Sequence, residues 1–114
     1  MENCIFCKIA NGEIPSNKAY EDDRVLAFYD LSPQAPVHVL IVPKKHVESV
    51  LALNDGDDAL IAHLFRVARE LALTLGVAEN GFRLALNTGA DGGQTVMHLH
   101  MHLLGGRALA WPPG

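Results

Sequence analysis

The sequence predicts an α+β domain in which a mostly antiparallel sheet of about five strands packs against one long helix. Strand-forming segments lie on both sides of the helix, and the helix itself has clear amphipathic spacing. The connections between neighbouring strands are too short for parallel crossovers. A chain of 114 residues with 49% apolar side chains can bury one core, so we expect a single domain over residues 1–114.

The elements follow in order along the chain. A short helix is expected around residues Cys4–Asn11. The segment Val25–Asp30 is rich in strand formers, and Pro36–Pro43 is a strand bracketed by prolines that is apolar apart from His38. Beyond the long helix, Phe82–Asn87 alternates as a half-buried strand does.

The long helix is expected from about Asp57 to Leu75. Capping side chains and acids in Asn54–Asp58 favour its start, and Gly76 is placed to end it. His63 flanks the apolar face, and we expect it to be structural. The residues of that face recur at helical spacing and are Leu60, Ile61, Leu64, Val67, Ala68, Leu71 and Leu75.

Composition limits the partners of the chain. The net charge is −4 and the lysines and arginines are scattered, which argues against nucleic-acid binding. No segment approaches the roughly 20 apolar residues of a membrane span, and the N-terminus lacks a signal-peptide pattern. We therefore expect a cytoplasmic protein with no nucleic-acid or membrane partner, in which Cys4 and Cys7 are reduced.

Half of the six histidines lie at alternate positions of the segment Gly92–Gly106. On a strand, His98, His100 and His102 would share one face at spacings of about 6.6–6.8 Å. The residues between them are apolar and would pack under the helix on the other face. These residues are Leu99, Met101 and Leu103. The pattern therefore predicts a strand with one histidine face.

Three interpretations of these histidines are possible. Three aligned histidines on an otherwise apolar strand are a poor fit to a solvated face. A metal site is possible, but catalytic metal sites usually recruit carboxylates, and no Asp or Glu follows Asp91. A neutral imidazole can attack phosphorus near pH 7, with flanking histidines binding phosphate oxygens. The preceding loop, with Gly89, Gly92 and Gly93, suits an anion and favours this third interpretation.

The segment His98–Leu104 matches the signature His-φ-His-φ-His-φ-φ, where φ is apolar, and so resembles the histidine triad (HIT) family. The segments "FYDLSPQAPVHVLIVPKKH", "NTGADGGQTVMHLHMHLLGGR" and "WPPG" resemble its Hint branch, the purine nucleoside phosphoramidases. The resemblance implies the HIT-like fold, a homodimer and hydrolysis of nucleoside 5′-phosphoramidates of the AMP-amine or GMP-amine type. The reaction would pass through a nucleotidyl-histidine intermediate and need no cofactor.

The resemblance also implies catalytic roles. His100 is the expected nucleophile, with its second ring nitrogen held by the carbonyl of His98. His102 is expected to contact the phosphate, and His38 to lie near the nucleophile. Thr95 stands where serine is usual, near the leaving amine; it keeps the hydroxyl but adds a methyl group and stiffens χ1.

The resemblance also implies residues that contact the substrate. Ile14, Phe28 and Leu31 would line the purine pocket, and Asp30 would bind the ribose. Phosphate and other substrate contacts would come from Asn87, Gly93 and Gln94. The residues alone leave other roles open. The three apolar side chains equally suit a core, and Asp30 suits the capping of a strand end.

Two other functions remain open. One is the hydrolysis of dinucleoside polyphosphates or nucleotidyl transfer, against which Thr95 and the tail "ALAWPPG" argue weakly. The other is a nucleotide-binding scaffold with little turnover, because binding and catalysis would use the same residues. In the Hint branch the tail shapes the substrate entrance across the dimer, whereas Trp111 could instead be a packing anchor.

Cys4 and Cys7 form a Cys-x-x-Cys pair, which is half of a tetrahedral zinc site. The residues alone leave open a buried reduced pair or a redox pair. The resemblance to bacterial HIT proteins implies that His46 and His98 complete a structural zinc site, which would brace the segment beside the nucleophile.

Overall fold

The computed structural model describes residues 3–114 and confirms the predicted α+β class. Five antiparallel strands form one sheet in the order β1-β2-β3-β5-β4. The elements in chain order are α1 (Ile5–Ala10), β1 (Lys18–Glu21), β2 (Val25–Tyr29), β3 (Val37–Pro43), α2 (Asp58–Thr74), β4 (Phe82–Ala85) and β5 (Met101–Gly105). Two short 3₁₀ turns, Val50–Ala52 and Asp55–Asp57, precede α2.

The sheet has a different partner on each face. Helix α2 covers one face, where its buried residues pack on alternate residues of β2, β3 and β5. Helix α1 covers part of the other face, where Phe6 and Ile9 pack on Leu26, Phe28 and Leu40. Because β3 is central and buried on both faces, its sequence is continuously apolar apart from His38 instead of alternating.

The predicted bounds of the long helix are confirmed to within one residue at each end. The capping group lies on the 3₁₀ turn just before α2, within the expected segment: Asn54 accepts from the amide of Gly56, and the Asp57 carboxylate accepts from the amide of Asn54. Gly76 follows the helix with a φ of +78°, as the C′ position requires.

The ladder of β5 is shorter than the alternating pattern predicts, because it begins at Met101 and leaves His98 and His100 in the extended segment before it. In the antiparallel register Leu99 would face Pro43, which has no N–H to donate. The amide of Leu99 bonds instead to the carbonyl of Val47. The alternation itself persists, since the residues between the histidines lie in the core under α2.

The structure settles two outer parts of the molecule that the sequence pattern left open. Strand β1 lies in a segment that the sequence pattern left without a named element. Trp111 is 83% exposed, so it is not a packing anchor within the chain. Within residues 3–114, no helix combines the length and the apolar character needed to cross a membrane.

Candidate active site and metal cluster

His38 lies on β3, and His98, His100 and His102 lie on or just before β5. All four are on the side of the sheet that packs against α1. The Nδ1 of His100 lies 2.7 Å from the backbone carbonyl oxygen of His98. Because a carbonyl can only accept, the ring proton lies on Nδ1, and the Nε2 of neutral His100 carries a lone pair. The ring is buried and meets the ring of Phe6 edge to face at 5.0 Å.

His98 is oriented by the opposite ring nitrogen. Its Nε2 lies 2.7 Å from the carbonyl oxygen of Pro43, so Nε2 carries the proton and Nδ1 the lone pair. This Nδ1 lies 3.2 Å from the sulfur of Cys4 and 3.4 Å from that of Cys7. Burial lowers the pKa of His98, although the hydrogen bond to Pro43 opposes this effect.

The sulfurs of Cys4 and Cys7 and one ring nitrogen each of His46 and His98 lie within 4.8 Å of one another. The Nδ1 of His46 is 3.2 Å from the sulfur of Cys7. Two sulfurs and two imidazoles are a donor set of structural zinc sites. His98 also donates its other N–H to a backbone carbonyl, as metal-bound histidines do. The residues therefore fit a zinc ion whose four positions all come from protein.

Without a metal the thiol of Cys7 holds its proton near neutral pH. Burial, reinforced by the neighbouring thiol of Cys4, raises the pKa of Cys7 to about 11. A divalent cation would have to displace that proton in order to bind, so metal affinity at this cluster would increase with pH.

His38 and His102 form a second pair, with the Nε2 of His38 at 2.9 Å from the Nδ1 of His102. Burial lowers the pKa of His38, against the nearby carboxylate of Asp30. Burial also lowers the pKa of His102 to about 4, with smaller effects of the same sign from His100 and His38. Both rings are therefore neutral near pH 7.

Asp30 follows β2 and faces this pair. One of its carboxylate oxygens accepts from the amide of Ser32 at 2.8 Å, and the other lies 3.6 Å from the Nε2 of His38. Phe28 is buried on the face of the sheet that carries the histidines, in the apolar cluster between the sheet and α1. Ile14 packs against this apolar cluster. Leu31 is 97% exposed in the loop that follows Asp30, so within this chain it contacts little.

The glycine-containing loop before the histidines is held by Gln94. Its Nε2 donates to the carbonyls of Glu48 (2.7 Å) and Val96 (3.0 Å), and its Oε1 accepts from the amide of Gly89. Both side-chain hydrogens of Gln94 are thus engaged, and the phosphate contact expected from the resemblance would require one of these bonds to open. At Gly92, an added Cβ would overlap the backbone of Thr88.

Thr95, Asn87 and Gly93 lie at the surface or partly buried around this loop. Thr95 lines an open cavity of about 480 Å³ that also borders the cysteine–histidine cluster. The residues lining this cavity are Asn3, Cys4, Ile5, His46, Glu48, Thr95, Val96 and Met97.

A model of the HIT domain matches residues 11–109. The chain belongs to the HIT family. An uncharacterized HIT-like protein of Synechocystis sp. is 53% identical over 99% of this chain and 98% of its own length. A HIT family hydrolase from Legionella pneumophila has a TM-score of 0.97 at 52% identity, over 98% of this chain and 100% of that one. A histidine triad nucleotide-binding protein from Candida albicans has a TM-score of 0.82 at 34% identity, over 96% and 83% of the two chains.

Three contributors to this HIT site were not found from the sequence. Phe6 lies in the short helix expected around Cys4–Asn11, where the sequence pattern assigned it no role, and its ring packs against His100. Gln34 donates its backbone amide to His38, and Arg107 binds the carbonyl of Gln34. A main-chain donor has no sequence signature, whereas a single arginine in a tail after the histidine strand could have been noticed.

Proposed function

We propose that this HIT protein hydrolyses nucleoside 5′-phosphoramidates with His100 as the nucleophile. The observation that carries the proposal is the hydrogen bond from His100 to the carbonyl of His98, which leaves Nε2 free to attack. A purine nucleotide is the expected substrate, because partly exposed Ile14 packs beside the buried Phe28 on the histidine side of the sheet and Asp30 offers a carboxylate on that side.

The proposed reaction has two steps. First, Nε2 of His100 attacks phosphorus, the P–N bond breaks, and the leaving nitrogen takes a proton and departs as an amine. The hydroxyl of Thr95 is a candidate to pass that proton. Next, water attacks the same phosphorus, the bond from phosphorus to Nε2 breaks, and the nucleoside monophosphate leaves. His102 would stabilise the phosphoryl oxygens in both steps.

The test is phosphorus NMR of adenosine 5′-phosphoramidate incubated with the protein. We expect the parent to convert it to AMP, and a His100→Asn variant to bind AMP normally but release none. A His63→Gln variant is the matched control, because His63 pairs with Asp22 and lies on α2, which covers the face of the sheet opposite the triad. This variant should retain turnover.

Other outcomes would identify the alternatives. A parent that binds AMP but leaves the phosphoramidate intact would favour the nucleotide-binding scaffold, a role that the description of the Candida albicans relative suits. Preferential cleavage of a dinucleoside polyphosphate would favour that hydrolase, or a nucleotidyl transferase if the nucleotide passes to another acceptor.

We further propose that Cys4, Cys7, His46 and His98 bind a structural zinc ion, supported by their spacing and by the orientation of His98. The zinc would hold the side chain of His98, whose carbonyl orients His100. It would take no part in the reaction. Neither cysteine forms a disulfide, as a zinc-binding pair requires and as suits a reducing compartment, so we propose a cytoplasmic location.

A further inference from the structure

A continuous chain of hydrogen bonds leads from the C-terminal tail to His102. Arg107 donates to the carbonyl oxygen of Gln34 from Nε at 3.1 Å and from Nη2 at 2.8 Å. The backbone amide of Gln34 donates to the Nδ1 of His38 at 3.0 Å. On the other side of that ring, the Nε2 of His38 lies 2.9 Å from the Nδ1 of His102.

The backbone amide of Gln34 decides which ring nitrogens of His38 and His102 carry the protons. A backbone N–H can only donate, so the Nδ1 of His38 must carry a lone pair. A neutral His38 then has its proton on Nε2 and donates to the Nδ1 of His102. His102 in turn carries its own proton on Nε2, the ring nitrogen that is not engaged with His38.

With the protons on the other ring nitrogens, the hydrogen bond between His38 and His102 would remain, but His102 would be its donor. His38 would then carry its proton on Nδ1, facing the amide hydrogen of Gln34, and His102 would turn a lone pair outward from Nε2. That lone pair would repel a phosphoryl oxygen instead of stabilising it. Since both rings are neutral near pH 7, the tautomer decides whether His102 is a donor.

The turn at Gly106 brings the C-terminal tail to the loop that contains Gln34. Gly106 follows β5 with a φ of +93°, and an added Cβ there would lie 2.9 Å from the Cβ of Pro36. Only glycine allows this turn, which brings Arg107 directly onto Gln34. Within residues 3–114, the side chain of Gln34 makes a single hydrogen bond, a local one from Nε2 to the carbonyl of Ser32 at 2.9 Å.

Resting on the proposed function, we propose that Arg107 and the main chain of Gln34 position the proton of His102 so that Nε2 donates to the phosphoryl group of the substrate. Arg107 is a positioning residue that acts through Gln34 and His38 and need not touch substrate.

The test uses variants that separate backbone from side chain. Gln34→Pro removes the N–H and keeps the carbonyl, whereas Gln34→Ala keeps both. Arg107→Ala removes the two hydrogen bonds from the guanidinium group to the carbonyl of Gln34. Arg83→Ala is its matched control, because Arg83 donates to another tail carbonyl, that of Ala110 at 2.9 Å, and has no bond to Gln34.

Two measurements are made on each variant: long-range ¹H–¹⁵N correlation of ¹⁵N-histidine-labelled protein, and turnover of adenosine 5′-phosphoramidate. The parent, Gln34→Ala and Arg83→Ala should carry the Nε2 proton on both His38 and His102. Gln34→Pro and Arg107→Ala should show mixed tautomers, with kcat/KM lower by about tenfold or more. Arg107→Lys, which lacks the two-pronged donor, should lie between the parent and Arg107→Ala and serves if Gln34→Pro does not fold.

A parent with the proton on Nδ1 of His38 would overturn the proposal, as would unchanged ring-nitrogen signals in both Gln34→Pro and Arg107→Ala. A change in Gln34→Pro alone would remove Arg107 from the mechanism. If no protein turns over the phosphoramidate, the proposed function fails, while the ring-nitrogen signals still decide how His38 and His102 are protonated.

Discussion

At the scale of single residues, the histidines of this protein are distinguished by which backbone group faces them. Carbonyls of Pro43 and His98 place the protons of His98 and His100, and the amide of Gln34 places that of His38. The alternate spacing of three histidines predicted one face that carries all three, whereas the choice of His100 as the nucleophile comes from the resemblance to the HIT family and stays a prediction. The resemblance implied the carbonyl of His98 as the partner of His100, and the structure confirms it. The backbone partners Pro43 and Gln34 could not be predicted, because any residue type presents the same carbonyl, and any except proline the same amide.

The lowered pKa of His102 predicts a pH dependence of stability. The unfolded chain takes up this proton near pH 6.5, but folded His102 does so only near pH 4. Between these values the unfolded state binds more protons, so the free energy of unfolding falls as the pH drops through this window. The groups facing His102 are His38 on β3, His100 before β5 and the carboxylate of Asp30, which partly offsets the effect.

Urea unfolding at pH 7 and pH 5 measures this effect. The parent should lose stability at pH 5, and His102→Gln should lose less, because the substituted side chain does not titrate. Equal losses in the two proteins would mean that the burial of His102 does not contribute to acid sensitivity.

At the scale of elements, Asp22 joins helix α2 to the turn between β1 and β2. Its carboxylate accepts from Tyr20 (2.7 Å), His63 (2.6 Å) and the amides of Arg24 and Val25 (both 2.8 Å). Burial alone would raise the pKa of Asp22, but these hydrogen bonds lower it well below its usual range. His63 is thus structural in this protein, paired with an acid that the helix pattern could not reveal.

We expect Asp22→Ala to lower the free energy of unfolding by about 2 kcal/mol, because hydrogen bonds to a charged group are worth about 1.5–3 kcal/mol. Urea titration at pH 7 measures the change. Asp23→Ala is the matched control, since Asp23 is the exposed neighbour, and should change stability by less than about 0.5 kcal/mol. Similar losses in both variants would contradict the role of Asp22.

The elements themselves were predictable where a periodic pattern was long, as in α2. Strand β1 was missed because four residues with charged ends carry too little pattern. The start of β5 was misplaced because the side-chain alternation continues where the hydrogen-bond ladder has stopped, and only the register opposite Pro43 reveals that point.

At the scale of the whole molecule, the cysteine–histidine cluster ties the N-terminal segment to two distant parts of the chain. If it binds zinc at a concentration about a hundredfold above Kd, binding adds about 2.7 kcal/mol to the free energy of unfolding, or roughly 10 °C in Tm. We expect one zinc per chain by elemental analysis and this fall in Tm after chelation.

Cys7→Ser is the control for the zinc prediction. It should lack zinc and show the same Tm with and without chelator. A parent protein that is purified from zinc-containing medium without bound zinc, and whose Tm is insensitive to chelator, would contradict the zinc site.

We also propose that the chain forms a homodimer. Strand β4 is an outer strand of the sheet, and Phe65 on the outward side of α2 is 49% exposed. Light scattering should give about twice the 12.3 kDa of one chain. Phe65→Glu should shift the mass toward the monomer, whereas Leu51→Glu, at a residue that is 86% exposed on a 3₁₀ turn, should not. A parent of 12.3 kDa would contradict the dimer.

The two hydrogen bonds from Arg107 to the carbonyl of Gln34 determine which substitutions positions 34 and 107 tolerate as such proteins diverge. Since the main chain at position 34 carries both hydrogen bonds, any side chain except proline can stand there without disturbing His38. Position 107, by contrast, must supply a two-pronged cation. Random substitution followed by selection for turnover should therefore tolerate many residues at 34 and few at 107, although the two positions serve one hydrogen-bond chain.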